Sequence, residues 1–398
     1  MQVTVITSRL SYDGRGENLK PQESIGGVDI QRVWTTHFGR SRLKLRAIDY
    51  LTFHITAAWA LLRIATRSDI IVAMTDPPML LILSAPIAKL RGARIVNWLQ
   101  DLFPEVAEAL FNGGKLSRFL FACLRRLRNL SLQYADMNVA IGELMAERLL
   151  RAGIPGSRVN VLPNWADCEA LAPITSTDNP LRIEWDLANH FVVGYSGNLG
   201  RAHEFETLLA AIETIEQENV RLSELPIKWL FIGGGHAFEC MRAETINRGL
   251  RSVAFRPYQP RQLLSQSLSA ADVHIVTLRP ELEGLIVPSK FYGAAAAGRP
   301  ILFIGSLDGE IAKLTERHTC GLSIVNGDST ALANAVLTLA RDPQRVYDMG
   351  TRARTSCEKF YTKSLAISAW TRMLCAISKS QIAYKSLPST PQFNPDGN

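Results

Sequence analysis

Short β-branched runs alternate with longer helix-patterned segments, stop once, and begin again. The runs "VTVIT", "VDIQRVW", "DIIVAM", "ARIVNWL", "DMNVAI" and "RVNVLP" fill the first half. This alternation predicts parallel strands joined by helices, a doubly wound α/β fold. From Pro163 to Leu187 the rhythm fails, and Pro, Asp, Asn and Thr dominate. It restarts with "FVVGYSG", "IKWLFIGGG", "SVAF", "ADVHIVTL" and "RPILFIG".

Two Rossmann-like units therefore face each other across a cleft, and ligands in such folds sit beyond the carboxyl ends of the strands. The expected boundaries are 1–170 for the first domain, 171–186 for a linker and 187–358 for the second domain. A helix over 359–383, possible as a return to the first domain, and a disordered tail over 384–398 complete the chain. Gly26-Gly27 reads as a hairpin turn.

The 398 residues carry a formal charge of +7, with 21 basic against 16 acidic residues up to Pro180 and 23 against 21 beyond. An anionic partner suits that imbalance. Six cysteines stand singly, so neither a disulfide framework nor a zinc site is indicated and a reducing cytoplasm is expected. "YLTFHITAAWALL" is too short to span a bilayer and "MQVTVITSR" does not read as a signal peptide.

Two glycine turns leave strands of the second domain, at Gly197 and Asn198 in "GYSGNLGRAHEF" and at Gly233 and Gly234 in "FIGGGHAFE". Glycine lets backbone approach an anion closely; an ordinary tight turn is the alternative. After a third strand comes "RPELEGLIVPSKFYGAAAAGRP". Pro288 and Ser289 predict a helix start with Ser289 as its cap, placing Lys290 in the first turn, where a diphosphate would relieve its charge. Arg279, Glu281 and Glu283 complete the segment, the carboxylates suiting sugar or ribose hydroxyls. A solvated loop is the other reading.

These blocks, with "WLQDLFPEVAEAL", "RVNVLPNWAD" and "DGEIAKL", resemble the retaining glycosyltransferases of the GT-B fold, family 4, in the colanic-acid and exopolysaccharide branch. The resemblance implies transfer of a sugar from a nucleoside-diphosphate sugar bound by the second domain to an acceptor presented by the first, with no metal cofactor. It implies donor phosphates beside Gly197 and Asn198, with Arg201 and His203 close to the usual clamp and Lys290 as a further cation. Glu283 resembles the first of two family glutamates; Gly293 stands where the second should be, ten residues on rather than eight. Asp101 lies where relatives place a histidine facing the donor sugar, so Asp101 and His203 are the catalytic candidates; Asp101 also reads as a helix cap. Relatives begin with a strand, glycine loop and helix ahead of the strand resembling "QVTVITSR". A non-catalytic remnant that binds a nucleotide or partner is therefore the rival, and an epimerase of the same fold a weaker third.

Arg32, Arg40, Arg42, Lys44 and Arg46 lie in one acid-free stretch, and Lys115, Arg118, Arg125, Arg126 and Arg128 in another. In the second, Leu116, Leu120, Cys123, Leu127 and Leu130 share a helix face, which suits either a core-packed helix or an anionic membrane interface. The resemblance implies undecaprenyl-diphosphate-linked acceptors and a cytoplasmic enzyme peripheral at the inner membrane. Nucleic acid is not expected.

Overall fold

The computed structural model describes residues 2–10, 19–38, 43–110, 114–219 and 226–379. Arg40, Arg42 and the tail over 384–398 lie outside them. The first domain comprises β1 (Val3–Ser8), β2 (Gln22–Ile25), β3 (Val28–Val33), α1 (Leu43–Ile64), β4 (Ile70–Met74), α2 (Leu81–Arg91), β5 (Arg94–Leu99), α3 (Glu105–Leu110), α4 (Lys115–Tyr134), β6 (Met137–Ala140), α5 (Glu143–Arg151) and β7 (Val159–Val161). The second runs from α6 (Pro180–Glu184) through β8 (Phe191–Asn198), α7 (Glu206–Asn219), β9 (Ile227–Gly234), α8 (His236–Asn247), β10 (Val253–Arg256), α9 (Leu264–Ser269), β11 (Val273–Thr277), α10 (Lys290–Ala296), β12 (Ile301–Ile304), α11 (Glu310–Arg317), β13 (Gly321–Ile324), α12 (Ser329–Arg341) and α13 (Pro343–Phe360). Helix α14 (Lys363–Lys379) follows.

The second domain is a parallel sheet ordered β10-β9-β8-β11-β12-β13. Its central strands are apolar without alternation because helices cover both faces, as in the buried "VHIVT" of β11. In the first domain the strand pairing is interrupted once. Its strands form two sheets, β1-β3-β2 and β4-β5-β6-β7, because no pairing joins β1 to β4 among the described residues. Strand β2, absent from the sequence reading, pairs antiparallel with β3. Gly26 and Gly27, at φ +59° and +81°, make the turn between them.

The linker expected over 171–186 ends early. Asn179 caps α6, and Leu181, Trp185 and Leu187 pack against Val192 and Leu230 of the second sheet. Buried Arg182 fixes this segment: its guanidinium donates to Asp272 and to the carbonyls of Ala270, Leu187 and His190. The connection proper passes Ala166, whose N–H donates to the Tyr361 carbonyl while its carbonyl accepts from Lys363. The chain thus crosses between domains twice at one place. Helix α14 lies on the first domain, where Met373 and Ile377 cover Val96, Met137 and Val139. Each such buried side chain contributes about 1.5–3 kcal/mol. The cysteines are not all isolated: Cys168 and Cys357, both buried, hold their sulfurs 2.7 Å apart beside the crossing.

Arg182→Met should destabilise the protein by about 3–5 kcal/mol, because Asp272 is left partly buried without its cation. Urea unfolding of the variant measures that loss.

Candidate active site

The carboxyl ends of β8, β9 and β11 meet the start of α10. Gly197 pairs with Gly233 and Asn198 with Gly234. A Cβ at Gly233 would strike the Gly197 carbonyl, and both residues have positive φ, +140° and +122°, so the turn requires glycine twice. The hydroxyl of buried Tyr195 donates to the Asn198 carbonyl and fixes the turn from below.

Lys290 reaches into this turn. Its methylene Cε lies 3.3 Å from where a Cβ on Gly197 would be, and its ammonium donates to His203 Nε2 at 3.1 Å. Across the ring, His203 Nδ1 donates to the Thr277 carbonyl at 2.7 Å. That bond sets the tautomer, leaving Nε2 as the acceptor. Burial, then the adjacent ammonium, push His203 down to about 3, so the imidazole is neutral. Burial alone lowers Lys290 to about 8. The ammonium also stands 5.2 Å from the Tyr195 ring centroid. Among the described residues no carboxylate lies within ion-pair distance of it. A half-desolvated cation with a neutral partner is a site prepared for an anion.

Several expected residues sit elsewhere. Ser289 is exposed, adopts helical backbone angles and makes no cap hydrogen bond, so the predicted cap is absent. Gly293 lies inside α10 with only Leu268 within reach of a Cβ. Arg201 is exposed near the turn. Arg279 and Glu281 form an exposed pair at 3.8 Å on the rim. Glu204 is explained locally: it accepts from the Thr207 N–H at the start of α7.

Glu283 points toward the seam between the domains. Its Oε1 accepts from the Glu310 N–H at 2.8 Å, while its Oε2 is buried with no partner. Burial raises its pKa, as it does that of Glu310. The Glu310 carboxylate accepts from the Glu143 and Leu144 N–H groups at 3.1 and 3.0 Å, so a side chain of the second domain caps α5 of the first. Asp101 meets the same seam through a bridge to Ile286. Burial, then nearby Asp76, raise Asp101 to about 6. The sequence reading missed Tyr195, Thr277, Tyr258 and Glu310; Tyr258, 60% exposed, stands over Gly234. Tyr195, Thr277 and Glu310 lie within the quoted "GYSGNLGRAHEF", "ADVHIVTL" and "DGEIAKL", but no rule of residue type or spacing singled them out.

Comparisons with known proteins bear on the two domains as wholes. The family pattern described as "Glycosyl transferase 4-like domain" matches residues 1–165, and that described as "Glycosyl transferases group 1" matches residues 190–342. Both halves of the chain thus match glycosyltransferase domains, and its fold is the two-domain GT-B fold. It is 27% identical over 307 residues to the glycosyltransferase WbjE of Pseudomonas aeruginosa, covering 74% of each chain. To the colanic acid biosynthesis glycosyl transferase WcaI of Escherichia coli K12 it is 26% identical over 237 residues, 58% of this chain and 56% of that one. The crystal structure of Anabaena HepE with UDP-glucose superposes at a TM-score of 0.66, with 18% identity over 87% of this chain and 86% of that one. Sucrose-phosphate synthase of Thermosynechococcus elongatus gives 0.71, with 18% identity over 94% and 90%.

Lys290→Ala should weaken nucleotide-sugar binding by about 2–5 kcal/mol, roughly 30-fold to several thousand-fold, with little loss of thermal stability. Because only the protonated amine attracts the diphosphate, affinity should fall as pH rises through about 8, measured by calorimetry. Lys290→Arg should hold its affinity to higher pH.

Proposed function

We propose that the enzyme transfers a hexose-type sugar, with retention, from a nucleoside-diphosphate sugar to a lipid-linked saccharide during exopolysaccharide or O-antigen assembly. The part-buried Lys290 ammonium beside the Gly197 and Gly233 turns, held by a neutral His203, is the observation that carries this reading. The nucleotide diphosphate rests against Gly197, Asn198, Gly233 and Gly234, with Lys290 and Arg201 as cations. HepE, with UDP-glucose named in its structure, supports a donor of this class.

As the bond from the anomeric carbon to the diphosphate breaks, negative charge collects on the departing phosphate oxygen. Lys290 neutralises it, and charge stabilisation of this kind is the main demand of the step. The acceptor hydroxyl attacks from the same face and its proton passes to the departing phosphate. No covalent enzyme intermediate and no metal is required. His203 holds Lys290 in place and takes no proton itself. Asp101, at the seam, faces the donor sugar and is ionised above about 6.

The acceptor enters through the first domain. Among the described residues a cavity of about 770 Å³ opens at the carboxyl ends of β1 and β3, with Arg9, Lys20 and His37 beside Trp34 and Phe38. Cations and aromatic faces together suit a diphosphate-linked sugar.

Titration with UDP-, GDP-, ADP- and dTDP-sugars should reveal binding of one donor class that Lys290→Ala weakens by at least about 30-fold. A folded protein that binds none would instead be a non-catalytic remnant. With a working acceptor, Asp101→Asn should flatten the acid limb of the pH–rate profile near 6.

A further inference from the structure

We propose that the outer side of α1, α2 and α4 is a docking face for an anionic lipid bilayer. Along α1, Ile48, Leu51, Ile55 and Trp59 repeat at three- and four-residue spacing and are exposed, while Ala57 and Ala60 on the other side pack with Ile6 and Val33. Along α4 the predicted stripe is outside as well: Leu116 is 83% and Phe119 69% exposed, and Leu120, Leu127 and Leu130 continue it. Helix α2 packs against both and adds exposed Leu83 and Leu90. Lys89 from α2 stands 5.3 Å from the Tyr134 ring of α4. Scattered apolar side chains are ordinary on a protein surface, whereas three adjoining helices with apolar outer stripes mark an interaction surface.

Charge selects the occupant. The three helices contain ten Lys or Arg residues and a single acid, Asp49. Asp49 is turned toward its own chain, accepting from Thr36 and the Phe38 N–H. A second copy of the chain would press like charges together, and an acidic bilayer surface would not. The basic patch predicted on α4 is smaller than expected. Arg125 pairs with Glu108, and buried Arg128 with Glu105, so these two hold α4 to α3. Among the described side chains, the exposed cations are Arg118 and Arg126 on α4, Arg63 on α1, and Lys89 and Arg91 on α2. No helix among the described residues is long and apolar enough to cross a membrane, so the contact lies in the interface plane.

The proposal deepens the transferase reading and rests on it for its purpose: the acceptor cavity adjoins α1 through bonds from Thr36 to Thr52 and Asp49, so a lipid-borne acceptor reaches it from the membrane plane.

The test is co-sedimentation of the full chain with phosphatidylcholine vesicles containing or lacking phosphatidylglycerol, at low and high salt. Wild type should bind the anionic vesicles and release in salt. Leu51→Ser/Ile55→Ser/Trp59→Ser and, separately, Arg118→Glu/Arg126→Glu should each weaken binding by about tenfold or more. Melting and nucleotide-sugar titration of both variants should stay unchanged. Equal vesicle binding by wild type and variants overturns the proposal. So does a wild type that ignores vesicles but forms a dimer, seen by light scattering, which the apolar variant loses. Vesicle binding without nucleotide-sugar binding would sink the transferase reading and leave this face standing.

Discussion

One carboxylate holds the two domains in register. Glu310 starts α11 in the second domain and spends both oxygens on the open N–H groups of α5 in the first. A side chain at Gly142 would collide with it. Glu283 in turn fixes the Glu310 backbone, and the Arg148 guanidinium binds the Glu283 carbonyl at 2.6 Å. Around this polar knot, Leu102, Ile141 and Met145 share one apolar cluster with Leu285, Val287 and Ile311. Burying two carboxylates is costly without donors, and the helix end supplies them. The position of Asp101 relative to the glycine turns follows from this seam.

The anion site uses a related economy of charge. A lysine in place of His203 would set two ammonium groups about 3 Å apart in a half-dry turn. A neutral imidazole, fixed by the Thr277 carbonyl, holds Lys290 without competing for its charge. A carboxylate there would anchor it more firmly and cancel it. The imidazole at position 203 therefore leaves the charge of Lys290 uncancelled beside Gly197, with Arg201 exposed nearby.

What could be read from the chain followed from local rules. Both glycine turns and the Gly26-Gly27 hairpin need backbone angles that few other residues adopt, and the strands of the second domain announce themselves by unbroken apolar runs. Strand β2, four residues of "QESI", has no such run and exists through its pairing with β3. Ser289 has the residue type of a cap without the backbone angles. Arg125 and Arg128 look like surface charges until α3 is folded back beside them, and the Cys168–Cys357 contact joins positions 189 residues apart. The orientation of the α4 stripe is likewise a tertiary fact, since the same periodicity serves a core-packed helix.

The double crossing at Ala166 also orders events in time. The first domain's sheet is made from residues that leave the ribosome early, yet Val96, Met137 and Val139 are covered by α14, which emerges after the whole second domain. Throughout synthesis the older half presents an uncovered apolar sheet face beside Trp98, which ends stacked on Trp165 and tilted against Trp370. Nascent chains of this kind are exposed to aggregation and to chaperones until the last helix arrives. The domain that begins first is the one that finishes last.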